Sequence, residues 1–119
     1  MRVLALGLAL ITAAGPVAAQ QVTSAPAAVL RVLSKTDGKL EDIEIAAGQT
    51  LRWGRLEISM NDCRYPRRNP SGNAFAFLTI KDAGAQQPNF AGWMVASAPA
   101  LNALDHPRYD VWVLRCKTS

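Results

Sequence analysis

Histidine occurs once and cysteine twice in 119 residues. A single imidazole cannot supply the usual zinc ligand set, and no HExxH or CxxC spacing accompanies it, so no metal site is expected. Glycine-rich phosphate loops, a GxSxG elbow and an SxxK motif are also missing. Acyl and phosphoryl transfer are thus left without their common signatures, and no cofactor is expected. Charge is sparse: 18% of residues are charged, with 13 Lys+Arg against 9 Asp+Glu. A formal net charge of +4 is too small an excess to point to nucleic acid as a partner. The length excludes a TIM barrel and a full doubly wound dinucleotide-binding fold.

The hydrophobic fraction of 50% is inflated by the start of the chain, where 14 of the first 19 residues are apolar. Arg2 followed by the apolar stretch Val3–Ala14, the breaker Gly15-Pro16 and the small residues Val17-Ala18-Ala19 read as a signal peptide, residues 1–19, cleaved after Ala19. The stretch is too short to span a bilayer comfortably, no later one is longer, and the cleaved protein is expected not to be integral to the membrane. Removing it leaves 119 − 19 = 100 residues with 12 basic and 9 acidic side chains, a net +3. The expected location is the periplasm. In an oxidising compartment an even pair of cysteines reads as a disulfide, here Cys63–Cys116.

Gln20–Ala28 is polar, small and proline-containing, and residues 20–35 read as a flexible lead-in with a possible first strand at Val29–Leu33. Residues 36–119 read as a single β domain. Period-2 alternation marks Leu40–Ile45 and Leu56–Met60, and strand composition marks Thr50–Trp53, Phe75–Lys81, Phe90–Val95 and Tyr109–Cys116. Asn61–Asn73, with two prolines, a glycine and three arginines, reads as loop. Ser97-Ala98-Pro99 resembles a helix start and predicts one short helix over 99–104. The fold class is all-β: a small disulfide-linked β-sandwich or partly open barrel of six or seven short strands.

Four groups of residues are candidates for function. Arg64, Tyr65, Arg67 and Arg68 follow Cys63 and form a candidate contact surface for an anion or a partner's carboxylates. Trp53, Trp93 and Trp112 lie in apolar strand segments and are expected in the core; on a sheet face they would instead make a stacking platform. Glu41, Asp42 and Glu44 read as the solvent face of a strand. Asp105 and His106 form a weak polar site: catalysis would need His106 oriented by Asp105 or paired with a reduced Cys63, whereas Pro107 marks the same residues as a turn.

The stretches Gly48–Ile58, Cys63-Arg64-Tyr65-Pro66, Ala74–Leu78, Gly92-Trp93-Met94 and above all Ala96–Val113 resemble the DUF2155 family, small exported proteins found mainly in alphaproteobacteria. The resemblance covers residues 36–116. It implies an alphaproteobacterial envelope protein whose function is unassigned, with Cys63 and Cys116 at matching cysteines, and carries over no catalytic residue or ligand. Together these observations predict a non-enzymatic periplasmic module acting by contact with an envelope protein, as an accessory of a larger envelope complex. The alternative is a glycan-binding module for peptidoglycan or anionic polysaccharide.

Overall fold

The alternation of Leu56, Ile58 and Met60 with Glu57 and Ser59 puts one apolar face on a strand, and in the computed structural model that strand is the central one. The structure describes residues 21–118, so the expected signal peptide lies outside the described residues. Eight strands follow in order: β1 Val22–Ala25, β2 Ala27–Ser34, β3 Leu40–Ala46, β4 Thr50–Trp53, β5 Leu56–Pro66, β6 Phe75–Asp82, β7 Phe90–Val95 and β8 Tyr109–Lys117. One sheet runs β1-β5-β6-β7, with β4 also paired to β5; the other runs β3-β2-β8. Every pairing is antiparallel. The strand β5 is long enough to hold β4 against Leu56–Ser59 and β1 against Cys63–Pro66, end to end along one edge.

The two sheets face each other across a core led by Leu30, Val32, Ile45, Leu56, Ile58, Met60, Leu78 and Ile80, all buried. Each such side chain contributes about 1.5–3 kcal/mol by leaving water. The disulfide Cys63–Cys116 is formed and buried, joining β5 of one sheet to β8 of the other. Both cysteines lie out of phase with the apolar alternation of their own strands. In β5 the inward set is Leu56, Ile58 and Met60, yet Cys63 also points inward. In β8 it is Tyr109, Val111 and Val113, yet Cys116 is buried. A register shift between Met60 and Asp62 makes Asn61 the extra residue in β5. A second shift, opposite Val29/Leu30, makes Leu114 the extra residue in β8. Each bulge reverses the side-chain phase beyond it, which turns each cysteine toward the other.

Several expectations need correction. Among the described residues the strands number eight rather than six or seven, and of the two expected architectures the two sheets form the sandwich, not the partly open barrel. The stretch read as a flexible lead-in is strand from Val22 onward, because β1 pairs with Ala25↔Cys63 through Val22↔Pro66. Pro26, which cannot donate to a ladder, stands between β1 and β2, where the chain passes from one sheet to the other. The first part of the expected loop Asn61–Asn73 is strand as far as Pro66. No helix forms over 99–104: the segment is a pair of turns, with Ala98 N–H donating to Val95 C=O and Leu101 N–H to Ala98 C=O. Asn102 fixes this segment to the free edge of β7 by donating from Nδ2 to the Trp93 carbonyl at 3.0 Å. That bond occupies an edge acceptor otherwise open to another strand.

Gly54, in the turn from β4 to β5, has φ +60°, and a Cβ there would meet the Tyr109 hydroxyl at 2.7 Å. Strain and overlap together predict that Gly54→Ala destabilises by about 1–3 kcal/mol, read as a lowered Tm in thermal unfolding.

Candidate functional site

The solvent-facing side of the five-stranded sheet follows from the same alternation. In β6, Ala76, Leu78 and Ile80 point inward, so Phe75, Phe77 and Thr79 point outward. In β7, Met94 is inward and Trp93 outward. The register pairs Phe77 with Trp93 across β6–β7 and Arg64 with Phe75 across β5–β6. Phe77 and Trp93 meet edge-on, with ring centroids 5.4 Å apart. The Arg64 guanidinium lies over Trp93, 5.1 Å from its ring centroid, and its Nε donates to Asp62 Oδ2 at 2.7 Å. Val22, Arg64, Phe75 and Trp93 line a shallow depression of about 220 Å³. Aromatic rings and an arginine stem together give apolar contact area and one oriented cation.

The expected contact surface of Arg64, Tyr65, Arg67 and Arg68 is divided by the structure. Arg64 stands on this outer face. Tyr65, one residue on, packs against the core instead. Arg67 and Arg68 lie in the turn after β5 beside Gln21, whose side-chain oxygen accepts from Arg67 Nη1 at 3.2 Å. Phe75 and Phe77 join Arg64 here without any motif to mark them; their signal is β6 parity, opposite to Ala76 and Leu78.

All three tryptophans are half-buried rather than in the core interior. Trp112 sits between buried Val111 and Val113, on the outer face of the three-stranded sheet beside Arg31. That face carries the ion pairs Arg31–Asp42, 2.8 Å, and Lys117–Glu44, 2.7 Å. The Arg31 guanidinium holds the exposed Asp42 carboxyl below the usual carboxylate range.

Trp53 belongs to a third place, the open end of the sandwich between β3 and β4. Here the inward positions of several strands turn polar: Ser34 ends β2, Asp82 ends β6, Glu41 continues the face of Ile43 and Ile45, and Tyr109 begins β8. Trp53 Nε1 donates to Glu41 Oε1 at 3.1 Å, and its ring meets Tyr109 edge-on at 6.0 Å. Lys39 Nζ lies 5.8 Å from the Trp53 centroid. The Lys39 N–H donates to Asp37 Oδ1 at 3.0 Å and, with the Ser34 hydroxyl, holds the Asp37 carboxyl below its ordinary range. Ser34, Thr36, Asp37, Lys39, Glu41, Arg52, Trp53 and Tyr109 surround a cleft of about 460 Å³.

His106 lies behind this layer, 2% exposed. Its partner is Asp82, with Nε2 to Oδ1 at 2.7 Å, while Asp105 is exposed. Nδ1 accepts the Arg108 N–H at 2.9 Å, which leaves the proton on Nε2 to be donated to Asp82. The ring also lies against Tyr109, centroids 5.1 Å apart, and its carbonyl accepts from Lys35 Nζ at 2.9 Å. Both nitrogens are therefore engaged, and the sulfur of Cys63 is committed to the disulfide. The arrangement ties the segment after β7 to the end of β6. Neither Asp105 nor Cys63 joins it.

The chain resembles "Uncharacterized protein RP359" of Rickettsia prowazekii (strain Madrid E), 25% identical over 87 residues. The match covers 71% of this chain and 56% of the Rickettsia protein, so the chain spans little more than half the length of that relative. No solved structure matches. A family model described as "Uncharacterized protein conserved in bacteria (DUF2155)" matches residues 28–116, from β2 to the second cysteine. This chain belongs to the DUF2155 family.

Proposed function

We propose that this protein is a non-catalytic module of the cell envelope that holds a partner protein against the outer face of its five-stranded sheet, as an accessory of a larger complex. The observation that carries this reading is the cluster of Arg64, Phe75, Phe77 and Trp93 on solvent-facing positions of adjacent strands. Tryptophan and arginine dominate binding hot spots, and here they are already oriented by one another and by Asp62. The occupant that fits is a protein segment bearing an apolar side chain for the Trp93–Phe75 depression beside a carboxylate for Arg64. The excess of basic over acidic residues, with Arg67 and Arg68 in the neighbouring turn, favours such an acidic partner. An exported, oxidising location is consistent with the buried disulfide.

Crosslinking and affinity purification of the tagged protein from its native envelope fraction test this reading. A single stoichiometric protein should be recovered, and Trp93→Ala should weaken that contact by about 2 kcal/mol or more, roughly thirtyfold. Trp112→Ala, on the opposite sheet, should leave it unchanged. Equal recovery by Trp93→Ala and Arg64→Ala would sink the assignment. Glycan binding is the second reading, favoured by the polar layer around Trp53 rather than by the Arg64 face.

A further inference from the structure

The open end of the sandwich breaks the rule that shapes the rest of the interior. On β3, Ile43 and Ile45 point toward the core, and the same parity gives the next inward position to Glu41, a carboxylate. On β2 the inward series Ala28, Leu30, Val32 ends in Ser34, and on β6 the series Ala76, Leu78, Ile80 ends in Asp82. Asp82 is answered by His106 and Glu41 by the Trp53 indole. Positions where local patterning yields to polar groups are where function is expected.

We propose that this cleft between β3 and β4 binds a neutral sugar, one pyranose ring lying against Trp53 with its hydroxyls shared among Glu41, Asp37, Ser34 and Thr36. The inference rests on the glycan reading of this end of the molecule and stands apart from the protein contact at Arg64. Three features select the ligand class. The first is size: about 460 Å³ falls within the range of small-molecule sites. The second is charge: two carboxylates, Asp37 and Glu41, face two cations, Lys39 and Arg52. A lining balanced in this way carries no net charge to select an ionic ligand, while supplying both donors and acceptors to a polyol. The third is the aromatic wall. Trp53 is held at its Nε1 by Glu41 and at its edge by Tyr109, so a C–H face can stack on the indole without first ordering it. The long, exposed Lys39 side chain, 5.8 Å from the ring centroid, would move aside to admit the sugar.

The test is a heteronuclear NMR titration of the oxidised protein with chitotetraose, cellotetraose and maltotetraose, beside the anionic probe trigalacturonate. Saturable shifts of the Trp53 indole N–H and of the amides of Ser34–Glu41 with at least one neutral probe are expected. Trp53→Ala should lower the affinity about tenfold or more. Glu41→Gln keeps an acceptor for the indole and preserves the fold, and it should weaken binding several-fold. Trp112→Ala should leave it unchanged. Absence of saturable shifts with every neutral probe would overturn the proposal. So would binding of trigalacturonate alone, or shifts centred on Arg64 and Trp93; none of these outcomes bears on the protein contact proposed at that face.

Discussion

Replacing both cysteines, as C63A/C116A, is expected to remove about 4 kcal/mol of stability. The bridge closes a loop of 53 residues, and loop-closure entropy of that length has this magnitude. Whole domains of this size are stable by about 5–15 kcal/mol, so the bond supplies a large share of the total. Urea unfolding of the wild type with and without reductant, compared with the double variant, measures it. The reduced wild type and the double variant should unfold near the same midpoint, well below that of the oxidised protein. A loss below about 1 kcal/mol would mean that the unbridged chain keeps its loop closed by other contacts.

His106→Ala is expected to destabilise by about 3 kcal/mol. The substitution removes a buried ring, leaves the Arg108 N–H without its acceptor and deprives Asp82 of its donor. It also removes the ring packed against Tyr109, which lines the Trp53 cleft. His106→Gln retains one hydrogen-bonding end and should lose less. Asp105→Ala, at an exposed position, should fall within about 0.5 kcal/mol of the wild type. Equal effects at Asp105 and His106 would contradict the arrangement. Thermal unfolding monitored at the tryptophans gives all three values in one set of measurements.

How far the fold was legible depended on whether the alternation held. Leu40–Ile45, Thr50–Trp53, Phe75–Lys81 and Phe90–Val95 match the observed strands closely because apolar and polar residues, or β-branched and aromatic ones, run unbroken there. In β5 the alternation stops at Met60 because the extra residue Asn61 reverses the phase, so the continuing strand looks like loop. β1 carries few apolar residues and exists through its partner β5, a tertiary cause with no local mark. Pro99 and the alanines after it suggest a helix, but Asn102 Nδ2 holds the segment along β7 at the Trp93 carbonyl, and Ser97 N–H donates to Asn73 Oδ1. The disulfide is legible from the count of two cysteines together with the expected export. Of the candidate surface, Arg64 was legible as a charged loop residue, while its aromatic neighbours required the β6–β7 register. The Asp82–His106 pair is separated by 24 residues, and nothing local in either stretch announces it.

The two bulges have a consequence for how this protein keeps its final form. Without Asn61 or Leu114 as the extra residue, a slipped pairing of β5 or β8 would present its cysteine to solvent on the outside of a sheet. Within the folded sandwich, the two sulfurs meet only when both strands hold their native alignment. The bridge is therefore compatible with one register alone and resists any slip of β5 or β8 against its neighbours. The alignment so fixed is the one that sets Asp62 and Arg64 on the outer face beside Phe77 and Phe75.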